Sequence, residues 1–288
     1  MAEPTETRTI PTRRVSFEES LRELPRHFAA DEDLVVSHVL AGLSAVFPDG
    51  EDFFVRSVRH FRDQITDPVL KRQVAGFIGQ ESVHGREHRE LNDRLAELGY
   101  PTKPIERLTK AGLRLRERIM SPKANLAATA ALEHFTATLA ELLMTDQEVR
   151  DSLGHDGVRY LFLWHALEES EHKAVAFDVY RAVGGSERTR VLTMKVIRLG
   201  FILGSVVELV VSLALDPKTY RRGALSSSLR KFKGSGVAGR AMWDRLREYD
   251  RPGFHPSDRD TSDLVEHWRA ELFGDEGALR AQLANSAA

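Results

Sequence analysis

Apolar residues recur every three or four positions over most of the chain from Val35 to about Leu215, a spacing that predicts amphipathic helices. The first is expected over residues 33–46, stopped before Pro48. A second spans 49–65, with Phe54, Val55, Val58, Phe61 and Ile65 on one stripe. Asp67 and Pro68 open a third that runs to about residue 98, where Gly99 and Pro101 end it. A basic amphipathic helix over 105–120 serves as crossover. Ser121 and Pro122 start a helix to about 144, and another covers 158–183, closed by Gly184 and Gly185. Ser186 caps an apolar helix over 187–215. Four long helices with inward stripes and one long connection spell an all-α helix bundle over residues 15–216.

The flanks read differently. Residues 1–14 are polar, carry Pro4 and Pro11, and lack an apolar signal stretch, so a flexible lead-in and a cytoplasmic location are expected. Residues 217–288 form an extension that packs on the bundle, with basic and proline-rich loops and short helices near 263–271 and 276–283. The run LGFILGSVVELVVSLAL at 199–215 holds one charge, Glu208. It sits near the lower length limit of a membrane span, and a central carboxylate would cost roughly 2.5–3.5 kcal/mol there. Burial in the protein or in a homodimer interface is the first expectation, with peripheral membrane contact as the alternative.

Composition narrows the chemistry. With 41 Lys+Arg against 43 Asp+Glu the net charge is −2, which gives no electrostatic case for nucleic acid. Cysteine is absent, which excludes thiolate metal sites, disulfides and a cysteine nucleophile. Any metal must therefore use Asp, Glu and the 11 His.

Those residues are patterned. Glu51 shares an apolar stripe with Phe54, Val55 and Val58. Glu81 and His84 form an E-x-x-H pair, with His88 one turn further on the same face. Glu133 lies in LAATAALEHFTATLAELL, almost free of other charge. Glu169 and His172 repeat E-x-x-H, and His165 precedes Glu169 by one turn. Glu168 and Glu171 point away from that face, as solvated or supporting groups. His165 is expected to ligate. His88 is expected behind Glu81 or His84, or at the surface, with a place as a further ligand as the alternative. Each element has a bland reading alone: Glu51 as a helix-start residue, Glu133 paired with a core Arg, the histidines as core donors. Their order along four helices is what carries weight.

Glu, then E-x-x-H, then Glu, then E-x-x-H is the ligand order of the ferritin-like di-iron carboxylate bundles. Four buried carboxylates repel and resist desolvation, and two divalent cations neutralise them. Oxygen ligands with imidazoles suit iron, or manganese or a mixed pair. Through FPDGEDFFVRSVRHFRDQITDPVL, FIGQESVHGREH, ALEHFTA, WHALEESEHKAVAFDVY and RPGFHP the chain also resembles a bacterial family of predicted metal-dependent hydrolases. Its ligand order is similar to that of p-aminobenzoate N-oxygenase, a di-iron enzyme with H-x-x-x-E-x-x-H on its last helix. That resemblance implies the set Glu51, Glu81, His84, Glu133, His165, Glu169 and His172 around two Fe ions.

The expected function is a non-haem di-iron oxygenase or oxidase acting on a small organic substrate, N-oxygenation included. Metal-dependent hydrolysis by an activated water is the alternative, and a non-catalytic iron-binding or structural helical protein the second. No flavin, nicotinamide or ferredoxin motif is present, so an external electron-donor protein is expected.

Overall fold

A computed structural model describes residues 9–283. Among them the regular structure is helical: α1 (Glu18–Leu21), α2 (Leu34–Arg59), α3 (Pro68–Glu97), α4 (Thr102–Ile119), α5 (Pro122–Thr145), α6 (Gln147–Ser152), α7 (Asp156–His172), α8 (Val175–Ala182), α9 (Glu187–Ala214), α10 (Ala224–Gly234), α11 (Arg240–Glu248) and α12 (Ser262–Phe273). Helix α2 packs along α3, and α5 along α7 and α8; α4 and α9 both lie against α2 and α5. The helix starts obey local chemistry. Asp67 accepts from the amides of Val69 and Leu70 ahead of Pro68, Ser121 from that of Ala124 ahead of Pro122, and Ser186 from that of Thr189. Gly99 (φ 93°) and Gly184 (φ 75°) then end α3 and α8 in the left-handed conformation.

Pro48 does not separate two helices. It lies inside the single 26-residue α2, which puts Glu51 in mid-helix rather than at a helix start. Proline removes the amide that would bond the carbonyl of Ser44. The side-chain amide of Asn92, on α3, donates to that carbonyl at 3.1 Å and so satisfies it. The expected 158–183 helix is broken at Lys173 and Ala174, one residue past His172; both keep right-handed helical φ, so the ladder is interrupted without a turn of the chain.

The N-terminal strap differs from a flexible lead-in from residue 9 onward (residues 1–8 lie outside the described residues). Ile10 and Thr12 lie over Gly76 and Gly79 of α3, where a Cβ on either glycine would overlap them. Arg13 is buried. Gly79 of the FIGQESVHGREH motif is thus where the strap crosses. At the other end, residues 276–283 hold a 3-10 turn, Arg280–Gln282, in place of the expected helix, and the extension adds two helices, α10 and α11, that its polar, basic composition did not announce. The motif RPGFHP is a structural corner: His255 bonds Asp178 at 2.7 Å, and Phe254 stacks on Tyr249 and His134.

The expected burial of the apolar helix fails within this chain. On α9 only Arg190, Met194, Ser212 and Leu213 are buried. Its one mid-run charge, Glu208, faces inward against Gly42 of α2, where a Cβ would overlap the carboxylate. Burial pushes that carboxyl up to about 7, with no cationic neighbour to offset it. The unfolded chain releases this proton near 4.5 and the folded chain only near 7, so stability is lost as pH rises through that window. Glu208→Gln should therefore stabilise the protein by about 2 kcal/mol at pH 8 and by almost nothing at about pH 4. Denaturant melts at the two pH values measure this, and a gain that does not change with pH would contradict it.

Candidate metal centre

The four elements α2, α3, α5 and α7 each send acidic or imidazole groups to one interior point. Glu51, Glu81, His84, Glu133, His165, Glu169 and His172 are all at most 3% exposed. Their ligand-type atoms fall into overlapping groups, each within 4.8 Å: Glu51, Glu81 and His84; Glu81, Glu133 and His172; His84, His165 and Glu169; Glu51, His88 and His165. Glu81 belongs to the first two. Nε2 of His172 lies 3.0 Å from Glu81 Oε1, 3.4 Å from Glu133 Oε2 and 3.6 Å from Glu169 Oε2. Nε2 of His165 lies 3.0 Å from Glu169 Oε1 and 3.7 Å from Glu51 Oε1.

Buried polar atoms are almost always hydrogen-bonded. Here eight lack a well-formed hydrogen bond, the contacts of His172 with Glu81 and Glu133 being ion-pair approaches only: both carboxylate oxygens of Glu51, Glu81 and Glu133, Nδ1 of His84 and Nε2 of His172. Burial, with the neighbouring carboxylates adding to it, pushes Glu51 and Glu133 well above the usual carboxylate range. Burial opposes ionisation of Glu169 too, but His172 and His165 hold it low. Burial also disfavours the protonated form of His172, yet Glu169, Glu133 and Glu81 raise its pKa. A collection of unpaired lone pairs at such electrostatic cost is what a site for cations looks like.

The imidazoles are set for the same task from behind. His84 Nε2 lies 3.0 Å from Glu168 Oε2, leaving Nδ1 turned to the centre, 3.7 Å from Glu81 Oε1. His172 Nδ1 lies 2.8 Å from the Gln80 carbonyl, and the Gln80 amide in turn donates to Pro11 and Glu171. Ser44 donates to Asn92 at 2.7 Å, so it accepts from His88 Nδ1 at 2.9 Å; His88 Nε2 then accepts from His165 Nδ1 at 2.7 Å. In each case the rear nitrogen carries a hydrogen, which leaves the forward one to face a cation; without a cation, the carboxylates around His172 favour a proton on its forward nitrogen too. His88, with both nitrogens engaged, stands behind His165 rather than behind Glu81 or His84. Trp164 packs on His84, Phe77 on His172 and Phe47 on both His88 and His165, which fixes the rings and keeps water out.

Two participants escape a reading by helical face. Glu168 is buried, the Glu171 side chain is 2% exposed, and Arg13 joins them with contacts of 2.9 and 2.8 Å. The Thr136 hydroxyl donates to Glu169 Oε2. The spare acid of LEESEH hinted at the first, but its partner lies 155 residues away. A glycine matters too. A Cβ at Gly85 would come within 3.2 Å of Glu51 Oε2 and 3.3 Å of Arg89 Nη1. Gly85→Ala should push the Glu51 carboxylate off its position and weaken metal binding roughly tenfold. Competition with a chelator reads this directly, and parental affinity would contradict it.

A second group, His27, His38 and Asp216, also lies within ligand range. Arg26 Nε already meets Asp216 Oδ2 at 3.1 Å, as do His27 at 2.9 Å and His38 at 3.1 Å. It reads as an ion-paired knot tying residues 26–38 to the end of α9.

Fold and cluster together define an all-helical protein whose core gathers carboxylates and imidazoles able to hold metal. The family model described as predicted metal-dependent hydrolase matches residues 11–260, and the chain belongs to that family. No curated protein and no solved structure matches the chain.

Proposed function

We propose that the chain is a ferritin-like dinuclear metal enzyme that takes two iron ions, or manganese or a mixed pair, and uses dioxygen to oxidise a small organic substrate. The observation that carries the reading is the set of eight buried atoms without a well-formed hydrogen bond, with Glu81 common to two ligand groups. Glu51 and His84 would serve one ion, Glu133 and His172 the other, with Glu81 between them and Glu169 and His165 completing the set. Four carboxylates balance the charge of two divalent cations, so the loaded interior is close to neutral. When bound, such a pair supplies reductive activation of dioxygen.

The chain's own residues do the rest. Glu168, Gln80 and His88 hold protons on the rear nitrogens of His84, His172 and His165, so the forward lone pairs stay available. Thr136 keeps one oxygen of Glu169 oriented. The rings of Phe47, Phe77 and Trp164 exclude bulk water. Electrons come from a separate donor protein or from the substrate.

The family description supports a second reading, hydrolysis by a metal-activated water. The two separate cleanly. Anaerobically loaded ferrous protein exposed to air should consume dioxygen in proportion to its iron. Zinc-loaded protein that cleaves ester or phosphoester probes, beside iron-loaded protein inert to oxygen, would favour hydrolysis instead.

A further inference from the structure

The outward side of α9 is largely apolar, with Lys195 its one exposed charge beyond Leu192. Leu192, Val196, Leu199, Leu203, Val207 and Val210 are each 57–63% exposed, and Val206, Val211 and Leu215 are at least half exposed. At about 1.5 Å per residue the row from Leu192 to Leu215 is about 35 Å long. A soluble monomer rarely exposes a contiguous apolar patch beyond a few hundred Å². Helix α4, which like α9 packs on α2 and α5, presents Leu108 (76% exposed), Leu115 (57%) and Ile119 (69%).

Charge identifies what covers this side. In α4 the exposed apolar residues alternate with Arg107, Lys110, Arg114 and Arg118, all exposed. Past the end of α9, residues 217–243 contain Lys218, Arg221, Arg222, Arg230, Lys231, Lys233 and Arg240 and no acidic residue. Tyr220, 73% exposed, stands just before the arginine pair, an amphipathic ring at the boundary between apolar and basic surface. The whole chain carries a net charge of only −2, so this cationic rim is local. Two copies meeting through this face would bring like-charged rims together. An anionic bilayer attracts the same rim and accepts the apolar row.

We propose that α9, with α4 and the basic segment 217–233, docks the protein on the surface of an anionic lipid bilayer. The helix lies in the interface and does not cross it. Its inner side is committed to the protein: Phe201 stacks on Phe135 of α5 at 5.0 Å, Glu208 sits against Gly42, Arg198 pairs with Asp250, and His38 bonds Ser212 at 2.6 Å. A spanning α9 would carry α2 and α5 into hydrocarbon. This inference is independent of the metal chemistry.

Cosedimentation of the full-length chain with phosphatidylcholine vesicles, with and without phosphatidylserine, tests it. Binding should appear with phosphatidylserine at low salt and fall roughly fivefold or more at high salt or on phosphatidylcholine alone. Val207→Asp and Leu203→Asp alter exposed positions, so circular dichroism should show the parental fold while vesicle binding falls by a similar factor. A chain left in the supernatant with every vesicle overturns the proposal. So does a dimer in light scattering that Val207→Asp dissociates and that binds no lipid, since a second copy would then own the face. Equal binding by the aspartate variants overturns it as well.

Discussion

Glu81→Gln should abolish tight metal binding at both positions while leaving the apo-protein at least as stable as the parent. Glu81 is the carboxylate shared by the group with Glu51 and His84 and the group with Glu133 and His172. An amide keeps the shape but loses the charge and one lone-pair face. In the apo-protein Glu81 is held above its ordinary range by burial, and nearby Glu169 adds to the cost although His172 offsets part of it. Neutralising it therefore relieves the interior. In the loaded protein the balance reverses. A ligand present at a thousand times its Kd stabilises the native state by about 4 kcal/mol, which for a chain of this size is a melting shift of about 7 °C. The parent should show that shift on adding ferrous or manganous ion, and Glu81→Gln should lose nearly all of it. Differential scanning calorimetry with and without metal is the measurement. A variant that retains the full metal-induced shift would show that Glu81 is not a ligand.

Arg13→Met is the second large effect. The guanidinium is only 9% exposed and bonds both Glu168 and Glu171, whose side chains are 0% and 2% exposed. Glu171 keeps Arg269 and Gln80 as partners, but Glu168 loses its one cationic partner and keeps His84. Removing one partner from a buried charged network costs about 3–5 kcal/mol, a fall in melting temperature of about 5–8 °C at this chain length. Metal affinity should also fall, roughly tenfold, because Glu168 orients His84. The double variant Arg13→Met, Glu168→Gln should recover part of the stability, since it removes the uncompensated carboxylate. A drop of less than a degree or two in Arg13→Met would mean that the strap is ornamental.

How much of this was legible in the sequence depends on the range of the interaction. The E-x-x-H pairs at Glu81/His84 and Glu169/His172 are local geometry, as are the apolar stripes around Glu51 and Glu133. Helical spacing alone brings each pair onto one face, and the structure gathers all four helices' groups at one point. The caps at Asp67, Ser121 and Ser186 are equally local. Misreadings arose where a distant partner changes the local rule. Pro48 reads as a stop until Asn92 satisfies the carbonyl it orphans. Glu168 reads as solvated until Arg13 reaches it from a strap that itself looked like a loose end. The side on which His88 stands depends on Ser44 and Asn92, which no spacing predicts. For α9, periodicity reports an apolar helix and is silent on whether protein, lipid or a second copy covers it; the fold leaves its outer side open.

The central claim is that two cations belong among these carboxylates. Anaerobic titration of the purified apo-protein with ferrous ion, followed by Mössbauer spectroscopy, addresses it in one experiment. The account predicts saturation at two ferrous ions per chain, with high-spin signals distinct from the aquated ion. Saturation at one ion, or a spectrum of free aquated iron alone, would contradict it.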